Sequence, residues 1–412
     1  MNADAQLAVG PAFRHDPVKS TLPGAARAVD WRIEPAVSAH RRLLYDNQKL
    51  GRSIAVPVSA SPAVAPGVGV VVASDDGYVR LFALDLSKAY WQRRMDSSIY
   101  ASVVLDQARR RVVVAATSGL IACFDLRGQV AWSVRLAEPV FATPTVLPAA
   151  DVLVVAAFRS RCYGLALDTG IVLFERDLPR PWHATQGGLA SYRDPYASPV
   201  STLDGNSVVC CAEHVLCLAG DGTELWRTEV GASVRASPVA VNSTAEIAVC
   251  PVDGRCLFLG AKSGDIRGQI EFGAKITASP AVSGGVLAIG TQLDTAVGID
   301  VVTRAVRWTS PHGGPRSYTS WTVSPVGDFI ATAARGNVTC LALESGRFLW
   351  ETSQVLGLPD HEPAMDITPV AAPDGSMYCA SYAGDVYRFL FRDLPAGLAT
   401  DLSIDRAAQE RR

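Results

Sequence analysis

Glu344-Ser345-Gly346-Arg347-Phe348-Leu349-Trp350 reads as a tight turn running into a short strand that closes on a bulky residue. Asp168-Thr169-Gly170-Ile171-Val172-Leu173-Phe174 and Gly220-Asp221-Gly222-Thr223-Glu224-Leu225-Trp226 repeat it, with glycine supplying the positive φ that the turn needs. Eight copies can be traced, closing at Trp31, Trp91, Trp132, Phe174, Trp226, Gly268 (a degenerate copy), Trp308 and Trp350. From Trp91 onward the spacings are 41, 42, 52, 42, 40 and 42, so one supersecondary unit of about 42 residues repeats, which is the period of a propeller blade.

Upstream of each turn-and-strand lies the rest of a four-stranded unit. A second hairpin turn is marked by Ser74-Asp75-Asp76-Gly77, Pro251-Val252-Asp253-Gly254 and Tyr382-Ala383-Gly384-Asp385. Apolar runs such as Val70-Val71-Val72-Ala73 and Val152-Leu153-Val154-Val155 flank such turns and suit strands buried on both faces. Before these stands a strand of small residues ending near proline: Ala60-Ser61-Pro62, Ala142-Thr143-Pro144, Ala197-Ser198-Pro199, Ala236-Ser237-Pro238, Ala278-Ser279-Pro280 and Ile367-Thr368-Pro369. Small side chains and proline suit an innermost strand where eight strands converge on one axis and no ladder donor is lost.

The last unit, Tyr378 to Phe391, has no outer strand of its own, whereas Trp31-Arg32-Ile33-Glu34 has no blade around it. The expected fold is therefore all-β: an eight-bladed β-propeller of four-stranded antiparallel blades, the ring closed by an N-terminal strand around Trp31 that completes the last blade. Closure removes exposed sheet edges, which keeps a Val- and Ala-rich chain soluble. The expected layout is an N-terminal arm over 1–30, the propeller over 31–392 with its first outer strand at 31–35, and a tail over 393–412.

On these residues the chain resembles the PQQ-like propellers, meaning the quinoprotein alcohol dehydrogenase superfamily and its cofactor-free relatives. Those relatives include the outer-membrane assembly propeller and the C-terminal propeller of aminoadipate-semialdehyde-dehydrogenase-like acyl ligases. The resemblance is carried by Ala83-Leu84-Asp85 leading to Trp91 and Ala166-Leu167-Asp168 leading to Phe174, joined to the small-Ser-Pro strands, and covers roughly residues 53–392 and the Trp31 segment. It implies the fold and leaves function open, since these residues pack blade against blade in every member. Quinoprotein dehydrogenases hold calcium with Glu, Asn and Asp, use an Asp base and set Arg or Lys against the quinone. By position Asp366 would be the base and Arg316 or Lys275 the cation, but no Glu and Asn stand at matching inner-strand sites, so neither PQQ nor calcium is expected.

Composition sets further bounds. The 412 residues are 49% apolar and 19% charged, with a formal net charge of −2, as in a soluble globular chain able to bury a large core. No Lys/Arg run points to nucleic acid or a membrane surface, and no apolar run approaches a membrane span. Met1-Asn2-Ala3-Asp4-Ala5-Gln6 lacks a secretory pattern, which makes the cytoplasm the expected setting. Of nine cysteines, Cys123, Cys217, Cys256 and Cys340 fall at comparable third-strand places and read as small buried hydrophobes. Cys210-Cys211, adjacent like the vicinal disulfide of the quinoprotein dehydrogenases, sits in an apolar strand and reads as a structural thiol pair. No CxxC, CxxCH or HExxH motif supports metal or haem chemistry.

Loops joining one blade's outer strand to the next blade's inner strand gather at one mouth of the axial channel. Two residues before the inner-strand Ser/Thr stand Ser59, Tyr100, Phe141, Tyr196, Arg235, Thr277, Tyr318 and Asp366; four before it stand Pro57, Ser98, Pro139, Asp194, Ser233, Lys275, Arg316 and Ala364. Such variety is not needed by a structural repeat. Arg235, Lys275 and Arg316 suit a carboxylate or phosphate, and Tyr100, Tyr196 and Tyr318 a planar or apolar body. Solvated funnel residues and inter-blade ion pairs, such as Asp194 with Arg235, are the structural alternative.

Three insertions fall on this side: 36–56, with Ala39-His40-Arg41-Arg42-Leu43-Leu44-Tyr45 basic and helical in pattern; 180–195, with Trp182 and His183; and 355–366, with Asp360-His361-Glu362. His183 and Asp366 are the candidate acid and base, with Trp182, Asp194 and His361 as further ligand contacts. Two functions are expected of this mouth. The first is a ligand- or partner-binding module, whose partner is a small anionic or aromatic molecule or a protein such as an acyl ligase or carrier protein. The second is a lyase, cyclase or hydrolase without redox cofactor that acts on an anionic aromatic or acyl substrate, with PQQ-dependent oxidation a distant third.

Overall fold

The computed structural model describes residues 27–65, 67–180, 197–293, 295–311, 320–332, 337–352 and 367–394. Eight four-stranded antiparallel sheets follow one another around an axis, seven of them with consecutive strands side by side. Blade one, for example, runs Ala63–Ala65, Gly69–Ala73, Tyr78–Phe82 and Ala89–Arg94 from the axis outward. Blade eight takes Val370–Ala371, Ser376–Ala380 and Asp385–Leu390 from the C-terminal part and Ala36–Arg42 from the N-terminal part. The ring therefore closes through the Trp31 segment.

The buried clusters lie between neighbouring blades, one of them running across blades seven, eight and one, so stability is shared among seams in the manner of a repeat protein. Two hydrogen-bond series hold the seams. Near the axis the inner-strand hydroxyls form a belt: Ser102 N donates to Thr143 Oγ1 (3.0 Å), Thr143 N to Ser198 Oγ (3.0 Å), Ser198 N to Ser237 Oγ (2.9 Å) and Ser237 N to Ser279 Oγ (2.8 Å). At the outside, Trp91, Trp132, Trp226 and Trp308 each donate Nε1–H to the turn carbonyl of the next blade, at Leu126, Leu167, Ala261 and Leu343, over 2.9–3.0 Å. The repeated aromatic and the Ser/Thr are thus two ends of one clamp.

The belt gives a paired test. Ser237→Ala removes the acceptor of a buried amide and is expected to cost about 2 kcal/mol. The buried Ser61 hydroxyl has no hydrogen-bond partner among the described residues. Ser61→Ala is therefore expected to stay within about 0.5 kcal/mol of the parent or to stabilise it. Denaturant unfolding of both variants checks the contrast, and equal losses would show that side-chain volume, not the hydroxyl, matters.

Four details differ from the sequence expectations. The closing strand is Ala36–Arg42, not 31–35, and Trp31 occupies the turn before it, where its carbonyl accepts from Trp350 Nε1 (2.8 Å). On the next seam Tyr378 OH takes over the donor role, reaching Leu84 O at 2.8 Å. Second, the basic stretch Ala39–Tyr45 is not helical. Val37, Ala39 and Arg41 are half-buried in alternation with exposed neighbours, because the open edge of Asp385–Leu390 offers a ladder that a helix could not pair with.

Third, Gly268 is not merely a degenerate copy. It stands opposite Phe258, so the aromatic has moved to the third strand, and Arg304 of the next blade, at φ 65°, fills the space the indole would take, 3.8 Å over the Phe258 ring. Fourth, Cys123, Cys217 and Cys340 lie opposite Trp132, Trp226 and Trp350, small residues facing large ones. Cys256 lies opposite Ile270, two places out of that register. All nine cysteines are buried free thiols, and burial pushes Cys123, Cys162 and Cys379 up to about 12, as expected of packing residues.

Candidate binding mouth

The outer-to-inner loops and the second-hairpin turns meet on one side of the ring. A repeated backbone bond ties them: Asp75 N to Pro57 O (3.0 Å), Thr117 N to Ser98 O (2.9 Å), Phe158 N to Pro139 O (2.9 Å), Val252 N to Ser233 O (2.8 Å) and Gln292 N to Lys275 O (2.9 Å). The carbonyls of this column are structural, which leaves its side chains free to vary. That explains why Pro, Ser and Lys share one position.

Two residues on, the inner strands present the second column. Ser59 is buried, its hydroxyl on Asp75 Oδ2 at 3.0 Å, and Thr277 accepts from Gln292 Nε2 at 3.1 Å. Tyr100, Phe141 and Arg235 are half-buried at the corresponding places of blades two, three and five, and the Lys275 side chain on blade six is exposed. His183, Trp182, Asp194, Tyr196, Arg316, Tyr318, His361 and Asp366 lie outside the described residues.

Tyr100 and Phe141 form part of a ladder. Their ring centroids are 5.5 Å apart, and Phe141 stacks on Phe158 at 4.4 Å with planes 15° apart. Phe158 was not singled out by the inner-strand alignment because it comes from the second hairpin of blade three. That turn, Arg159-Ser160, has both residues left-handed (φ 61° and 57°) with no glycine, a strained type I′-like geometry. The sequence signal was there: Phe158-Arg159-Ser160 stands where other blades carry Asp-Gly or Ser-Gly. Arg159→Gly is expected to raise stability by about 0.5–1 kcal/mol, relief of left-handed strain outweighing the added freedom of the unfolded chain. A lowered melting temperature would mean that the Arg159 side chain contributes to the fold.

Beside the ladder, Tyr163 OH donates to Glu138, both residues buried. Burial first, and this bond second, hold the Tyr163 phenol well above its ordinary range, so it stays a neutral donor. What the mouth offers is an aromatic wall on blades two and three and cations on blades five and six.

Comparison with known proteins agrees with this architecture. The family model described as outer membrane protein assembly factor BamB matches residues 28–218 and 212–389. BamB from Moraxella catarrhalis superposes with a TM-score of 0.65 at 18% identity, over 87% of this chain and 100% of that one. Quinohemoprotein alcohol dehydrogenase from Comamonas testosteroni superposes with a TM-score of 0.64 at 12% identity, over 95% of this chain and 82% of that one. At these identities both show the fold alone. A Drosophila melanogaster beta-alanine-activating enzyme is 25% identical over 225 residues, 49% of this chain and 21% of the enzyme, so the match spans about a fifth of that relative's length. No described helix is long and apolar enough to cross a membrane.

Proposed function

Because this chain belongs to the family of the outer membrane protein assembly factor BamB, we propose that it is a binding propeller whose axial mouth takes a protein partner. The observation that carries this reading is the Tyr100–Phe141–Phe158 ladder, two of whose rings are left half-open at a mouth that also bears Arg235 and Lys275. A purely structural ladder would be driven to full burial, whereas rings and guanidinium presented together suit an acidic segment with aromatic or aliphatic side chains. The partner classes to test first are an acyl ligase and a carrier protein, the former suggested by the relative named for activating beta-alanine.

The experiment is a quantitative pull-down from the native cell with the wild type and with Tyr100→Ala, Arg235→Ala and Lys275→Ala, followed by titration of any stoichiometric partner. Each substitution is expected to weaken binding by about tenfold with the melting temperature retained. Failure to recover a stoichiometric partner, or recovery equal across all variants, would count against the reading.

A further inference from the structure

Between the closing strand and blade one the chain makes a hairpin that belongs to no blade. Its strands, Leu44–Asn47 and Arg52–Ala55, form a separate two-stranded sheet. The root is fixed: Leu43 N donates to Gly384 O (2.7 Å), Val56 N to Leu43 O (3.0 Å), and Leu43 and Val56 are each only 4% exposed in the seam core. Beyond the root every residue from Leu44 to Ala55 is exposed except Asn47 and Ala55, which are half-buried. Leu44 (53%), Tyr45 (54%), Leu50 (57%) and Ile54 (36%) stand in solvent.

A two-stranded hairpin with none of the described residues packed over it is marginal in water, so exposed apolar residues here do not serve the propeller. Tyr45 pairs across from Ile54 and Asn47 from Arg52, which places Tyr45, Ile54 and Arg52 on one face. The tip is pre-shaped, since Asn47 Oδ1 accepts from Lys49 N and Leu50 N at 3.1 Å each and Gly51 supplies φ 59°. The charge is one-sided. Asp46, the single carboxylate, accepts from Ser53 Oγ at 2.5 Å, while Lys49 and Arg52 make no ion pair among the described residues. The apolar residues run along the shaft from root to tip and the tip carries Lys49, a distribution for a strand-like or surface partner and not for a tip inserted into lipid.

We propose that residues 44–55 form a docking finger for an acidic protein segment with interspersed aliphatic or aromatic side chains, seated on the Tyr45–Ile54–Arg52 face. The inference deepens the partner-binding reading by adding a second contact, on the mouth side between blades eight and one. Among the described residues no further strand pairs with the hairpin, so its outer edges also offer backbone groups to an extended segment.

The test is selection of phage-displayed linear peptides of about 15 residues on the purified full chain, then titration of the recovered peptides. The titrations compare wild type, the finger variant Tyr45→Ser/Ile54→Ser/Arg52→Glu and the mouth variant Tyr100→Ala/Arg235→Ala. Recovered peptides are expected to be rich in Asp and Glu among apolar residues, to bind more weakly as salt rises, and to lose at least about tenfold in affinity to the finger variant alone, which keeps the parent melting temperature. Should that variant melt early, Arg52→Glu alone, an exposed position on the same face, repeats the comparison. Empty selections, peptides without acidic bias, or equal binding by the finger variant overturn the proposal. So does a wild-type dimer that the finger variant makes monomeric, or finger-dependent sedimentation with phosphatidylserine vesicles. Peptides lost only with the mouth variant overturn the finger and leave the mouth reading standing.

Discussion

Trp31→Ala is expected to cost about 3–5 kcal/mol, the range for emptying a fully buried indole site. Trp31 is 2% exposed; its ring lies 4.3 Å from Phe391, which in turn is 5.6 Å from Trp350. The bond from Trp350 Nε1 goes to the Trp31 carbonyl, so the substitution leaves it possible and the loss reports the cavity alone. The site matters more than an ordinary core position because it is where the segment 27–42 meets the segment 385–393. Val29 bridges Asp393, Arg27 holds the Asp393 carboxylate through Nε (2.6 Å) and Nη2 (2.7 Å), and Ala36–Arg42 pairs with Asp385–Leu390. Denaturant unfolding gives the magnitude, and limited proteolysis should open the variant first at blade eight. An unchanged midpoint would mean that strand pairing closes the ring without the aromatic cluster.

Gly346→Ala is expected to be of similar size, about 2–5 kcal/mol, as the sum of left-handed strain and overpacking. Gly346 has φ 63°, and an added Cβ would lie 2.3 Å from Cε3 and 2.4 Å from Cδ2 of Trp308 on the preceding blade. Gly273 is the control: φ is 64° but nothing lies within 4 Å, so Gly273→Ala should cost only about 1 kcal/mol. The fold contains its own version of this experiment. At the place equivalent to Gly346, blade six carries Arg304, tolerated because the preceding blade has Gly268 where blades one to four, six and seven have an aromatic. Equal effects at Gly346 and Gly273 would show that the turn slides off the indole at little cost.

The repeat was readable because period and packing are the same fact here. A blade can bury its faces only against a copy of itself, so the clamp residues recur at fixed spacing and the spacing counts the blades. The Ser/Thr of the inner strand was visible as a column, yet its use as a belt of inter-blade acceptors was not, because hydroxyl-to-amide bonds cross between residues about forty positions apart. The mouth was legible by position for Tyr100, Arg235 and Lys275. Phe158 was missed because it reaches the ladder from another hairpin, through a strained turn. Over so few positions Ala39–Tyr45 fits a helical period and a strand period about equally, and only the waiting strand edge of Asp385–Leu390 decides between them.

Local chemistry thus determined the unit, its number and the closure of the ring: turn glycines, apolar runs and small axial residues act within one blade and repeat in every blade. Tertiary structure alone decided how the seams compensate. Whether Gly268 is a defect depends on Phe258 beside it and Arg304 on the next blade, and which carbonyl Trp350 meets depends on where the N-terminal segment lands. Both are contacts between residues distant in the chain, made under close packing, where the volume lost on one side must be filled from the other.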